Sequence, residues 1–128
     1  MKLIGKGKYE RRFVEEGISE QEQAIFYLKK FTVEEMSIID DHTYVPDENG
    51  VITYRGGAAF KWKLRLGLID WKNVKDENGN EVKCTEENKN LLGIDVTMWL
   101  VSQMDELNGL RRLMTDQERK NFSSLLKS

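Results

Sequence analysis

The same tetrapeptide, Asp-Glu-Asn-Gly, occurs at residues 47–50 and again at 76–79, each time between short segments of strand-like composition. Asn-Gly tolerates the positive φ angles that a tight reversal demands. The chain is therefore expected to double back twice, pairing residues 43–45 with 51–54 and residues 71–74 with 81–84. Two such reversals commit part of it to antiparallel pairing.

Other segments supply the rest of the fold. Residues 23–31, QAIFYLKKF, are rich in aromatic and β-branched side chains and predict a strand, paired with residues 9–15. Thr32 with Glu35 forms a capping-box signature that opens a helix running to about Asp41, with Met36 and Ile39 turned toward the sheet. In residues 60–68, FKWKLRLGL, two periods compete. Strict alternation sets Phe60, Trp62, Leu64, Leu66 and Leu68 against Lys61, Lys63 and Arg65, which favours a strand. Ala58 and Ala59, with Gly67 placed as a C-terminal cap, favour a helix. Helix is the reading taken, in part on the resemblance given below.

The last third is more plainly helical. A short helix follows Thr85 and stops near Gly93, and Asp95 then offers a cap. Val96, Trp99, Leu100, Met104 and Leu107 recur along one stripe. A second capping box, Thr115 with Glu118, starts a final helix that carries Phe122, Leu125 and Leu126 inward. The fold class is α+β: a small antiparallel sheet with hairpins in the N-terminal half and short amphipathic helices in the C-terminal third. With 128 residues and no Pro-rich or Ser-rich linker, residues 1–128 read as one domain.

Charge and composition narrow the function classes. Twenty Lys and Arg against twenty-two Asp and Glu leave a net charge of -2, so no global positive field favours nucleic acid. The apolar runs fall far short of the roughly 20 residues of a membrane span. The opening MKLIGKGKYE turns polar too soon for a secretory segment, so a cytoplasmic location is expected. One cysteine, Cys84, and one histidine, His42, exclude an intramolecular disulfide, a multi-thiolate zinc site and every two-histidine metal motif.

Three chemical constellations remain to be weighed. Cys84 and His42 could form a nucleophile pair, but no local signature activates the thiol, and a small apolar role for Cys84 is favoured. Asp76, Asn78, Asn80 and Glu87 fall at positions 1, 3, 5 and 12 of a calcium-loop frame, yet Glu81 occupies the place of the required glycine. A polar turn explains the same residues. Lys61, Trp62, Lys63 and Arg65 interleave basic and aromatic groups as single-strand binders do, against which stands a half-buried element with one wet face. No catalytic residue, metal or cofactor is expected.

Protein contact is the better supported role. Three tryptophans and five methionines suit adaptable contacts. The candidate partner contacts are Trp62, Trp99, Met104, Leu107, Met114, Phe122, Leu125 and Leu126, although Trp99, Met104 and Leu107 on one stripe are more commonly core.

Two stretches carry a family resemblance. Residues 23–39, QAIFYLKKFTVEEMSII, resemble the N-terminal strand-then-helix of bacteriophage and prophage tail assembly chaperones. Residues 67–92, GLIDWKNVKDENGNEVKCTEENKNLL, resemble their Trp-then-Asp-Gly hairpin and following short helix, and TDQERKN at 115–121 is similar to their ends. The resemblance implies a non-enzymatic morphogenesis role, keeping a tape measure or tail tube protein soluble until the tail assembles. A structural tail or connector component of the virion is the nearest alternative, and a small intracellular enzyme or metal-binding protein the next. Self-association into a homo-oligomer is left open.

Overall fold

Alternation along residues 24–28 sets the centre of the sheet. The computed structural model describes Met1, Leu3, Ile4 and residues 7–110. Strand β1, Tyr9–Phe13, pairs antiparallel with β2, Ala24–Leu28, with Tyr9 opposite Leu28 and Phe13 opposite Ala24. In β2 the side chains of Ala24, Phe26 and Leu28 are buried while Ile25 and Tyr27 are half-buried, as a strand with one face on the core requires.

Helix α1, Val33–Thr43, begins where its capping box predicts. Thr32 Oγ1 accepts from the Glu35 amide at 3.1 Å, and Glu35 Oε1 accepts from the Thr32 amide at 3.1 Å. Each bond satisfies an amide that the helix itself leaves unpaired. Lys29 Nζ lies 2.7 Å from Glu35 Oε1. Burial pushes the Glu35 carboxyl up, but the hydrogen bonds from Lys29 and Thr32 and the Lys29 charge together hold it below its ordinary value of 4.5. A depressed carboxyl stabilises the fold above its unfolded pKa, so this contribution is lost as pH falls below about 4.5. Thr32→Ala should cost about 1 kcal/mol, read from the midpoint of urea unfolding; an unchanged midpoint would mean that the cap is dispensable. Ile39 enters the core and Met36 packs half-buried against it.

The first reversal forms as expected. Strands β3, Tyr44–Pro46, and β4, Ile52–Tyr54, pair antiparallel with Tyr44 opposite Tyr54. Asp47 Oδ1 accepts from the amides of Asn49 and Val51, and Gly50 takes φ 79°. Of the two periods in residues 60–68 the helical one prevails: α2 spans Gly56–Gly67 and buries Ala59, Leu64 and Gly67. The Arg55 amide bonds to Thr43 O, and the Lys29 amide bonds to Gly67 O at 3.0 Å. Both ends of the excursion are thereby tied, and α1 and α2 run antiparallel beside each other.

Gly67 corrects the expectation of a left-handed cap, since it is the last helical residue and is not among the positive-φ glycines. Its use is close approach. A Cβ there would lie 2.9 Å from Met104 Sδ and 2.9 Å from Phe31 Cε1.

The chain then enters β5, Leu68–Lys72, antiparallel to β2, which gives the sheet order β1-β2-β5 with a bulge near Ile69. This corrects the second expected hairpin. The turn at residues 76–79 does form, with Asp76 Oδ1 accepting from the Asn78 and Asn80 amides and Gly79 at φ 79°. The arms beyond it make only the Lys75 to Glu81 bridge and the bond from the Val82 amide to Val74 O. Asn73, at φ 60°, bends the chain out of β5, and its side-chain amide is held by Gln21 O and Gln23 O. Trp71 therefore pairs with Phe26 of β2, and Cys84 lies in no strand. The indole Nε1 of Trp71 donates to Val82 O at 2.8 Å, so a side chain ties down the arm that ladder bonds do not.

Helix α3, Glu86–Lys89, is capped by Thr85 Oγ1 as expected. Helix α4, Ile94–Leu107, starts two residues earlier than predicted: Gly93 is the cap residue, and Asp95 lies in the first turn with no cap bond, where its charge still suits the helix dipole. Leu100 and Met104 are buried, and Val96, Trp99 and Leu107 pack half-buried on the core. Trp99 meets Phe13 and Phe26 at ring separations of 5.0 and 6.1 Å, which lays α4 across the sheet. At its end, Asn108 Oδ1 accepts from the Phe31 amide at 2.7 Å while Nδ2 donates to Met104 O at 2.8 Å. The arrangement is α+β, with a small antiparallel sheet toward the N-terminus and helices toward the C-terminus. The second capping box at Thr115 and Glu118, and Met114, Phe122, Leu125 and Leu126, lie outside the described residues. Among the described residues, no helix is long and apolar enough to cross a membrane.

Candidate protein-contact surface

Among the described residues, the aromatic and thioether side chains singled out in the sequence serve the interior in whole or in part. Met104 is fully buried, so it is a core residue and offers nothing to a partner of the folded chain. Trp99 and Leu107 are half-buried against the same core. Trp62 is half-buried on α2, with the His42 ring edge-on at 3.9 Å and the Arg65 guanidinium 4.8 Å from its ring centre.

The basic residues of α2 are largely matched by neighbouring acids. Lys63 Nζ reaches Asp105 Oδ1 of α4 at 2.9 Å, and Arg65 Nε stands 3.9 Å from Glu86 Oε2 of α3. Lys89, a buried lysine, bonds Glu86 Oε1 at 2.9 Å and Arg65 O at 3.3 Å. These pairs fasten α2 to α3 and α4, which leaves less charge for a phosphate backbone than the sequence cluster suggests.

His42 and Cys84 are not brought together: one packs on Trp62, while the other sits half-buried beside Asp70, Trp71 and Val82. Burial pushes the Cys84 thiol up to about 11, with Lys89 opposing. A nucleophilic cysteine needs the reverse shift. Alkylation of Cys84 by iodoacetamide at pH 8 should run about a hundredfold slower than on a free thiol of pKa 9.0 and should climb with pH toward about 11. A rate plateau below pH 9 would contradict this environment. Because the raised pKa favours the neutral thiol in the folded chain, its contribution to stability is complete below about pH 9 and is lost as pH rises through about 11.

In the calcium-loop frame, Asp76 spends one carboxylate oxygen on the two amides of its own turn, and the Asp76 amide bonds back to Asn80 O at 2.8 Å. The polar turn accounts for Asp76, Asn78 and Asn80, and Glu87 lies in the first turn of α3. Among the described residues, no group of three His, Cys, Asp or Glu is placed to hold a metal ion.

What the sequence reading missed is a ridge where α3 meets α4. Leu91, Ile94 and Met98 are 77%, 70% and 55% exposed, and apolar side chains grouped at one place on a surface mark a contact site more often than single ones do. Leu92 stands between two clefts. One, of about 480 Å³, is lined by Trp71, Val74, Val82 and Leu91 on an apolar side and by Lys75, Asp76, Glu77 and Asn88 on a polar one; the other, of about 490 Å³, is lined by Phe60, Leu64 and Ile94 with Lys61, Lys89 and Asn90. The signal was present: Ile94 and Met98 are spaced i, i+4 beside the core stripe of α4, giving that helix apolar residues on a second side. A junction with exposed apolar side chains between two partly polar clefts can receive the apolar face of an amphipathic helix or an extended segment. Compared with protein-family models, with curated proteins and with solved structures, the chain matches none.

Proposed function

We propose that this protein is a non-enzymatic component of phage or prophage morphogenesis, a tail assembly chaperone that binds a tape measure or tail tube protein in the host cytoplasm. The observation that carries the reading is the exposure of Leu91, Ile94 and Met98 where α3 meets α4, with Leu91 and Ile94 each lining a cleft. A holdase needs such a surface on an otherwise charged exterior, because an apolar segment of the client must find cover while the complex stays dispersed. Leu91 falls within residues 67–92, which carry the resemblance to this family, and Ile94 lies just beyond them.

Co-expression with a tape measure protein should place that protein in the soluble fraction and in a complex that co-purifies. Leu91→Asp with Ile94→Asp should abolish both effects while leaving the melting temperature nearly unchanged, since both side chains are exposed. Equal client solubility with and without the protein would sink the proposal. A structural tail or connector component is the second reading, favoured by the exposed apolar residues Tyr44, Ile52 and Tyr54 of the β3–β4 hairpin, which suit permanent packing in a particle. Mass spectrometry of purified particles separates the two, because a chaperone is absent from them.

A further inference from the structure

The β3–β4 hairpin has one closed edge and one open edge. The Arg55 amide bonds to Thr43 O and the Asp47 amide to Val51 O, so residues 43 with 55 and 47 with 51 are hydrogen-bonded positions of this ladder. In an antiparallel pair such positions alternate with ones whose groups point outward. The outward positions are therefore Tyr44 and Pro46 on β3, and Ile52 and Tyr54 on β4. On β3 the Tyr44 amide is already bonded to Asp40 O, and Pro46 has no N–H to offer. That edge has no outward donor left. On β4, among the described residues, nothing bonds the N–H or C=O of Ile52 or Tyr54, and these residues are 61% and 66% exposed.

We infer that β4 pairs with β4 of a second copy of this chain, antiparallel about a two-fold axis at Thr53. The edge is self-complementary in that register. Ile52 lies opposite Tyr54 of the second copy and Tyr54 opposite its Ile52, so every outward donor meets an outward acceptor. Centring on Ile52 would instead set Tyr54 against Gly50, whose amide is already bonded to Asp47 O. Centring on Tyr54 would set Ile52 against Gly56, the first residue of α2. Charge agrees with the antiparallel sense. Arg55 ends the hairpin on one side and the exposed Asp47 and Glu48 end it on the other, so pairing brings the basic end of each copy toward the acidic end of its mate. The same register places Tyr44, Pro46, Ile52 and Tyr54 of both copies on one continuous face of a four-stranded sheet. An isolated two-stranded hairpin is marginal in water, and this association relieves that.

The inference stands whether or not the tail-protein reading holds. Sedimentation of the full chain should show a species of twice the chain mass, and Ile52→Lys with Tyr54→Lys should return it to monomer with an unchanged circular dichroism spectrum. In a Cys84→Ala background, Thr53→Cys should form an intermolecular disulfide on mild oxidation, because the two Cα atoms would stand about 4.5 Å apart, within disulfide reach. Val51→Cys, two positions off the axis, should not. A monomer at every concentration overturns the inference, and so does a dimer in which Val51→Cys cross-links as readily as Thr53→Cys.

Discussion

Phe26→Ala is expected to lower the unfolding free energy by about 3 to 5 kcal/mol, the range found when a buried aromatic ring is deleted and the cavity cannot collapse. Phe26 is 2% exposed at the middle of the central strand. Its ring meets Trp71 edge-on at 6.2 Å and 87°, and Trp99 at 6.1 Å and 61°. The substitution therefore removes apolar burial together with two edge contacts, each worth about 0.5 to 1.5 kcal/mol beyond area. Natural domains are stable by only about 5 to 15 kcal/mol, so the variant should sit near the edge of folding at 37 °C. Urea unfolding followed by tryptophan fluorescence reads the loss, because both neighbours are reporters. A loss below about 1 kcal/mol would mean that the aromatic cluster is not the close-packed centre described here.

Gly67→Val is the second large effect, acting through excess volume where Phe26→Ala acts through its lack. The Cβ alone would stand 2.9 Å from Met104 Sδ and from Phe31 Cε1 and Cζ, and both neighbours are themselves buried. Overpacking a filled core costs about 1 to 3 kcal/mol, and the two further methyl groups of valine put the expected loss near about 3 kcal/mol. Gly67→Ala should cost less, since alanine is favoured over glycine in a helix by about 1 kcal/mol and offsets part of the clash. Combining Gly67→Val with Met104→Ala should cost less than the two separately, because each relieves the other. Strict additivity would place the clash elsewhere.

The sequence made the local elements legible and left their long-range partners obscure. Thr32 with Glu35 and Thr85 with Asn88 announce helix starts because a cap needs only residues three apart. Asp47 and Asp76 announce turns for the same reason. The partner of Trp71 was misread because the nearest strand-like segment in sequence was residues 81–84, while β2, far upstream, captured it through Phe26. Asn73 gave no warning, since an asparagine at positive φ looks in sequence like any polar loop residue. Helix α2 concealed its class because alternation in residues 60–68 happened to coincide with a tight pack: Leu64 and Gly67 face the core three apart, as a helix requires. The candidate surface was missed for a related reason. Trp99 and Met104 look like contact residues by type, whereas the exposed Leu91, Ile94 and Met98 sit beside the stripe that attracted notice.

The bond between the Lys29 amide and Gly67 O closes the foot of a long arm made of α1, β3, β4 and α2. Strand order downstream of that clasp does not depend on how far the arm extends. Doubling the length of a flexible loop adds only about 0.6 kcal/mol of closure entropy. The tip at residues 47–50 is thus the place where insertions or deletions can change the arm's reach while β2 and β5 keep their registration, so span and scaffold can vary separately.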